Sequence, residues 1–220
     1  QVVAASLWRC AGDGCASVDV HGGRREMRTL AVALRGADGC RTLADAFGTD
    51  LLVSEAAGDD ADTEWAERDF GGKLRVAATR EGIPSITPEL GSNKQLDDEA
   101  IATGVDGLCG VFRQCGLLAG EPDPWEGVRA RNHLGRVQAT DSGLFVPDAA
   151  VELGSEVDAG ETFGTVYDPA SYAPLQTVTA DRDGIVYSIA REATVTAGQT
   201  LVGIAERVED ETVTDTTSKR

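Results

Sequence analysis

The first half of the chain alternates between short apolar runs and stretches with helical spacing. Apolar runs at residues 18–23, 29–34, 50–54 and 82–91 have the length and residue types of strands. Between the second and third runs, Leu43, Ala44 and Phe47 share one helical face. We predict that Asp38 caps this helix and that Gly48 ends it.

Two further helices follow from the same spacing. One carries Leu74, Ala77 and Ala78, has Arg80 in its last turn and stops at Gly82. Another begins after Asp97, and its apolar residues recur at steps of three and four: Ile101, Val105, Leu108, Val111, Phe112 and Cys115. We predict that this apolar face packs against the α/β layer and that Cys109 and Cys115 are buried. Residues 56–69 are acidic and predict an exposed loop.

The pattern changes after Pro122 and Pro124. Residues 128–205 are short alternating runs separated by glycines, which is typical of an all-β domain. Residues 157–164 resemble residues 195–202, so two hairpin units of similar build are expected. This repeat is similar to the barrel-sandwich domains of biotinyl and lipoyl carriers, but no lysine lies between Lys94 and Lys219 to carry a cofactor.

Four segments are therefore predicted. Residues 1–120 form part of an α/β domain with a mixed sheet, residues 121–127 a linker, residues 128–206 an all-β barrel-sandwich-like domain, and residues 207–220 a disordered polar tail.

The net charge of the chain limits the partners that the protein can bind. The chain carries 37 acidic and 20 basic residues, a formal charge of -17, and its basic cluster is Arg24, Arg25 and Arg28. This balance disfavours nucleic acid and anionic membranes as partners. It favours a protein of a salt-rich cytoplasm, with an acidic mesophilic protein as the alternative. Five cysteines without a Cys-x-x-Cys pair argue against a disulfide framework.

Two titratable residues stand near the ends of predicted strands. His21 follows Val18-Asp19-Val20, and Glu89 follows the run that begins at Gly82. Ligands of open α/β sheets bind at the carboxyl ends of the strands, so these side chains indicate a site. Asp19 lies two residues before His21, on the same face of a strand, and could hold the imidazole or pair with an arginine.

At these residues the chain resembles the succinylglutamate desuccinylase/aspartoacylase family of zinc-dependent amidohydrolases, whose fold is carboxypeptidase-like. The resemblance rests on Asp19-Val20-His21-Gly22-Gly23, on Gly82-Ile83-Pro84 leading into Glu89-Leu90-Gly91, and on residues 143–169. It implies that His21 is a zinc ligand and that Glu89 is the general base. It also implies hydrolysis of the amide of an N-acyl amino acid or a similar small acylated substrate.

Arg80 and Arg24 are candidates for binding the substrate's carboxylates, since guanidinium groups bind carboxylates bidentately, and Arg80 resembles an arginine upstream of the catalytic glutamate in some members of the family. Tyr167 could offer its phenol to the substrate, with packing in a hairpin as the alternative. The family's other two zinc ligands lie in a His-x-x-Glu motif, which this chain lacks. We therefore expect Gln1 to fall inside the family fold, with one zinc per complete site. The alternative is a truncated or degenerate homologue that binds a partner or a small acid without turnover. A homo-oligomer is compatible with either.

Overall fold

The computed structural model describes residues 16–23, 26–35, 37–55, 72–92 and 96–208. Within these ranges the chain forms three helices and fourteen strands. The helices are α1 (Asp38–Phe47), α2 (Leu74–Arg80) and α3 (Asp98–Gln114). The strands of the first half are β1 (Ser17–Val18), β2 (His21–Gly23), β3 (Glu26–Met27), β4 (Leu30–Leu34), β5 (Leu51–Glu55) and β6 (Ser85–Ser92). Those of the second half are β7 (Val128–Gln138), β8 (Gly143–Pro147), β9 (Glu156–Val157), β10 (Thr162–Tyr167), β11 (Pro174–Thr179), β12 (Gly184–Ile189), β13 (Thr194–Val195) and β14 (Thr200–Arg207).

One mixed sheet contains strands from both halves of the chain. Its order is β1-β6-β4-β5-β7-β14-β12-β3, with β2 also on β6 and β9 on β12. Strand β5 is parallel to β4 and to β7, whereas β6 is antiparallel to β4. A mixed α/β fold is therefore confirmed. The sheet runs without interruption past the predicted linker, because β7 pairs directly with β5.

The two-residue period of β4 and β5 gives this sheet two different faces. Leu30, Val32 and Val53 belong to one apolar cluster, and Ala31, Ala33 and Leu52 belong to another. The second cluster includes Phe47 of α1, so that face is covered by a helix. The first cluster lies on the face that carries the candidate site described below.

Helix α1 begins one residue earlier than a cap at Asp38 would require. Ala37 occupies the N-cap position without a side-chain hydrogen bond, and Asp38 is the first helical residue. The predicted cap is therefore wrong, although an acidic residue in the first turn still suits the helix dipole. Gly48 ends the helix at φ 80°, as predicted, since glycine adopts this left-handed conformation without strain.

Helix α3 packs through three glycines as well as through Val111 and Leu108. Gly104, Gly107 and Gly110 face inward, and a Cβ atom at Gly110 would lie 2.0 Å from the carbonyl oxygen of Ala46. Val111 is buried as predicted, but Ile101 and Phe112 are exposed, with relative exposures of 50% and 45%.

The prediction of a packed apolar face on α3 is thus confirmed only in part: Val111 belongs to the core cluster and Leu108 and Cys115 pack against it, whereas the close approach of α1 at Gly110 leaves Ile101 and Phe112 exposed. Val105 is exposed as well. Cys109 and Cys115 are partly exposed rather than buried, while Cys40 of α1 is buried.

A second sheet, in the order β11-β10-β8-β13, covers the carboxy-terminal part of the main sheet. Phe163, Val166 and Val178 from this sheet are fully buried in one cluster with Leu201 and Ile204 of β14.

The internal repeat takes the form of two matching turns. The backbone amides of Asp158 and Thr196 each donate to a side-chain oxygen three residues later, of Glu161 and Gln199 respectively. The repeated sequence therefore encodes a repeated turn.

Two of the predicted segments fall wholly or mostly outside the described residues. The predicted loop at residues 56–69 and residues 209–220 of the predicted tail lie outside the described residues. Arg207, assigned to that tail, is the last residue of β14 and pairs with Ala130. No helix within the described ranges is long and apolar enough to cross a membrane.

Candidate functional site

His21 and Glu89 are brought together by strand pairing. Strands β2 and β6 are parallel, and His21 is the register partner of Glu89. The imidazole Nδ1 lies 3.5 Å from Oε1 of Glu89, and Nε2 lies 3.1 Å from Oδ2 of Asp19. Both ring nitrogens therefore face a carboxylate. The imidazole remains accessible, with a side-chain exposure of 48%.

A break in the strand produces this arrangement. Strands β1 and β2 both pair with β6 but are separated at Asp19 and Val20. The amide of Asp19 still donates to the carbonyl of Ile86 at 3.0 Å, so the backbone stays against β6 through the break. The Asp19 side chain reaches the far nitrogen of the imidazole, in agreement with its predicted position beside His21.

The pair opens into a cavity of about 550 Å³. Apolar residues of β4 and β5 form part of its wall, and Lys73, Arg75 and Tyr187 also line it. The Glu89 side chain is only 20% exposed. Burial raises the pKa of the Glu89 carboxyl, and the neighbouring His21, Arg75 and Lys73 act in the opposite direction. A carboxyl with a raised pKa in a cavity is typical of a group that exchanges protons.

A buried polar network forms the inner wall of the same cavity. The Arg75 guanidinium donates from Nη2 to Oε2 of Glu55, and Nδ2 of Asn132 donates to Oε1 of Glu55 at 3.0 Å. All three residues are buried. The Nε atom of Arg75 is also buried and has no hydrogen-bond partner in the structure. The network connects β5, α2 and β7, and so fixes one cation near Glu89.

The other predicted site residues lie elsewhere. Arg24 falls outside the described residues. Arg80 is exposed at the last position of α2 and does not line the cavity. Tyr167 lies on β10, where its ring stacks on Tyr172 with centroids 4.4 Å apart, and it does not line the cavity either.

Sequence reasoning missed Glu55, Arg75 and Asn132. Glu55 had the same signal as His21 and Glu89, because it is a charged residue at the end of an apolar run. Arg75 lies one helical turn before Ala78, on the side of α2 that is buried. Asn132 offered no local signal, since its role depends on the parallel pairing of β7 with β5.

The metal-binding capacity of these residues is limited. Across the described ranges, no group of three or more His, Cys, Asp or Glu side chains could hold a metal ion. A catalytic zinc site uses three protein ligands and one open position. His21 offers one nitrogen, so the described residues alone do not complete such a site.

The fold and the histidine–carboxylate cavity define a mixed α/β protein with a candidate active site. No protein-family profile matches the chain. A curated relative, the N-alpha-acetyl-L-2,4-diaminobutyric acid deacetylase of Halomonas elongata, is 30% identical over 149 residues, which are 65% of this chain and 43% of the relative.

Solved structures extend the similarity to nearly the whole chain. The succinylglutamatedesuccinylase/aspartoacylase of Rhodobacter sphaeroides is 24% identical, with a TM-score of 0.74 over 92% of this chain and 63% of that one. The apo structure of the ectoine utilization protein EutE (DoeB) of Ruegeria pomeroyi is 23% identical, with a TM-score of 0.77 over 92% of this chain and 64% of that one.

The resemblance to the succinylglutamate desuccinylase/aspartoacylase family is therefore confirmed, and the chain has the fold of that family. The chain spans less than two thirds of the length of each of these relatives.

Proposed function

We propose that this chain belongs to a zinc-dependent hydrolase that cleaves the amide of an N-acyl amino acid or a similar small acylated substrate. The observation that carries the proposal is the contact of His21 with Glu89 at 3.5 Å, at the mouth of a cavity of about 550 Å³. Support also comes from the relatives, one of which is named a deacetylase and another a desuccinylase/aspartoacylase.

Glu89 is the proposed general base. Its carboxylate takes a proton from the water whose oxygen attacks the amide carbonyl carbon. The same proton then passes to the amine nitrogen as the carbon–nitrogen bond breaks, which leaves a carboxylate and a free amine. Partial burial suits this role, because a raised pKa makes Glu89 a better proton acceptor than an exposed glutamate.

His21 is proposed as one ligand of the zinc ion. The described residues do not complete a three-ligand site, so the remaining ligands would have to come from outside those residues. Asp19 is proposed to hold the imidazole in its orientation through Nε2, a contact of 3.1 Å.

Cations near Glu89 are proposed to attract the acid group of the substrate. Lys73 and Arg75 line the cavity, while the roles of Arg80, Arg24 and Tyr167 in binding substrate remain predictions. Arg75 is held by Glu55, so its charge is fixed in place before a substrate arrives.

The setting of the protein is also a proposal. The net charge of -17 supports a cytoplasm rich in salt and argues against nucleic acid or an anionic membrane as a partner.

We further propose that the second sheet and β14 together form a barrel-sandwich-like unit, supported by the cluster around Phe163. A homo-oligomer is compatible with this proposal.

Glu89→Gln tests the proposed function. The substitution keeps the shape of the side chain and removes its ability to accept a proton, so hydrolysis of N-acetyl and N-succinyl amino acids should fall by about 10²–10⁴-fold. Zinc content should be unchanged, whereas His21→Ala should lower it. Glu81→Gln is the matched control, since Glu81 is exposed just after α2. Full activity of Glu89→Gln would refute the role of Glu89.

A second candidate function is binding of a small acid without turnover. It is favoured by the incomplete metal-ligand set of the described residues. In that case the unaltered protein would bind N-acyl amino acids in a calorimeter and release no amine. Amine release that depends on Glu89 would exclude this alternative.

A further inference from the structure

A second cavity lies on the opposite face of the main sheet. Its volume is about 440 Å³, and Ala33, Leu52 and Ser54 line it. These residues alternate along β4 and β5 with Val32 and Val53, which line the cavity of Glu89. Neighbouring residues of a strand point to opposite faces, so the sheet separates the two cavities.

The wall of the second cavity is rich in arginine. Its charged residues are five arginines and two carboxylates: Arg35, Arg41, Arg129, Arg131, Arg207, Asp38 and Glu206. The chain as a whole has the reverse balance, with 20 basic and 37 acidic residues. A quarter of the basic side chains therefore surround one cavity.

Arg129 is fixed in place on this wall. Its Nη2 atom donates to both carboxylate oxygens of Asp45, at 2.9 and 3.0 Å, and its guanidinium lies 4.2 Å from the ring centroid of Trp125. Its side chain is 15% exposed. Such a guanidinium loses little conformational freedom when an anion approaches.

Two other arginines on the wall take part in partly exposed ion pairs. Arg131 donates to Glu206 at 2.9 Å, and Arg207 pairs with Glu156. Among the described residues that line the cavity, five arginines stand against two carboxylates, so positive charge predominates there. Partly exposed ion pairs are weak, and an anion with more than one charge can therefore compete with them.

We propose that this cavity binds a small organic anion with at least two carboxylate or phosphate groups. Guanidinium forks bind both kinds of oxyanion bidentately. The floor of Ala33 and Leu52 offers apolar surface to the body of the ligand. The N-terminus of α1 also opens here, because Ala37 and Asp38 line the cavity and Ala37 leaves the helix without a side-chain cap. This site is independent of the proposed hydrolysis, which takes place on the other face.

Calorimetric titration with pyrophosphate and with citrate, at constant ionic strength set by potassium chloride, tests the proposal. We expect one site per chain for at least one of the two probes, and the tighter probe identifies the preferred oxyanion. Arg41→Gln should weaken binding about tenfold, because it removes one guanidinium from the wall.

Two variants with the same loss of charge serve as controls. Arg182→Gln alters an exposed arginine that pairs with Asp181 and does not line the cavity. Lys73→Gln alters the cavity of Glu89. Both should bind the probe as the unaltered protein does. The proposal is overturned if neither probe binds, or if either control weakens binding as much as Arg41→Gln.

Discussion

Removing the charge of Glu55 should destabilise the protein more than any other loss of a single carboxylate in an ion pair described here. Glu55 and Arg75 are a buried pair, with side-chain exposures of 4% and 5%. Glu55→Gln would leave the Arg75 guanidinium buried opposite a neutral amide. Breaking one partner of a buried ion pair costs about 3–5 kcal/mol. Because whole domains are stable by about 5–15 kcal/mol, this loss would be large.

The pairing of Asn132 with Glu55 adds to the expected loss. A glutamine at position 55 can accept one hydrogen bond through its oxygen but presents an NH₂ group to the other partner. One of the two donors, Arg75 or Asn132, would therefore face a donor. An unsatisfied buried polar group is itself costly, so relaxation of the site cannot restore both contacts.

Urea unfolding followed by tryptophan fluorescence measures this prediction. The matched control is Glu206→Gln, which breaks the half-exposed pair with Arg131 and should cost less than about 1 kcal/mol. The double variant Glu55→Leu/Arg75→Met removes both charges and should be more stable than Glu55→Gln, since no uncompensated charge remains. Equal losses for Glu55→Gln and Glu206→Gln would refute the reasoning.

Two further substitutions test the packing of α3 and the acid response of the carboxy-terminal half. Gly110→Ala should destabilise by about 1–3 kcal/mol, because its Cβ would clash with the carbonyl oxygen of Ala46, whereas Thr103→Ala on the exposed face should be nearly neutral in the same urea assay. Hydrogen bonds from Ser171 and Ala170 lower the pKa of Asp168 in the folded protein. The Asp168 carboxylate therefore stabilises the fold above its ordinary pKa, and this stabilisation is lost as the pH falls through the lowered pKa. Unfolding measured across an acid pH series should therefore show a weaker pH dependence for Asp168→Asn, and an unchanged slope would contradict the assignment.

The sequence predicted strands next to His21 and Glu89, because each residue follows a short apolar run. It did not predict their places in those strands, since His21 begins β2 and Glu89 lies inside β6, where parallel pairing brings the two together. The turns at Gly160 and Gly198 were predictable for a similar reason, since the two segments share a sequence and both glycines have positive φ angles.

The packing of α3 was predicted only in part, because the usual rule identified Val111 and Leu108 but also included residues that are exposed. Apolar residues at helical spacing normally mark the buried side. Here the carbonyl of Ala46 lies so close that only glycine fits at position 110, and the larger residues are displaced to the exposed side. The three-residue spacing of Gly104, Gly107 and Gly110 was the signal of close helix contact.

The polar network of the site could not be inferred from the sequence, since its members are far apart in the chain. Glu55 and Asn132 are separated by 77 positions, and they meet only because β7 lies parallel to β5 in one particular register. Periodicity predicts which face of a strand is buried, but not which strand is its neighbour. A buried charge and its partner therefore become visible only when the register is known.

That register also determines what each cavity can recognise. Along β5, Val53 and Glu55 point to the cavity of Glu89, and Ser54 points to the arginine-lined cavity. A shift of one residue would exchange the two sets, and Arg75 would then lose its buried carboxylate. In concentrated salt, the charges of the acidic surface are screened within a few ångströms, whereas buried or partly buried charges are screened much less. Recognition of anions by a chain of net charge -17 therefore depends on cations that the sheet holds in its two cavities.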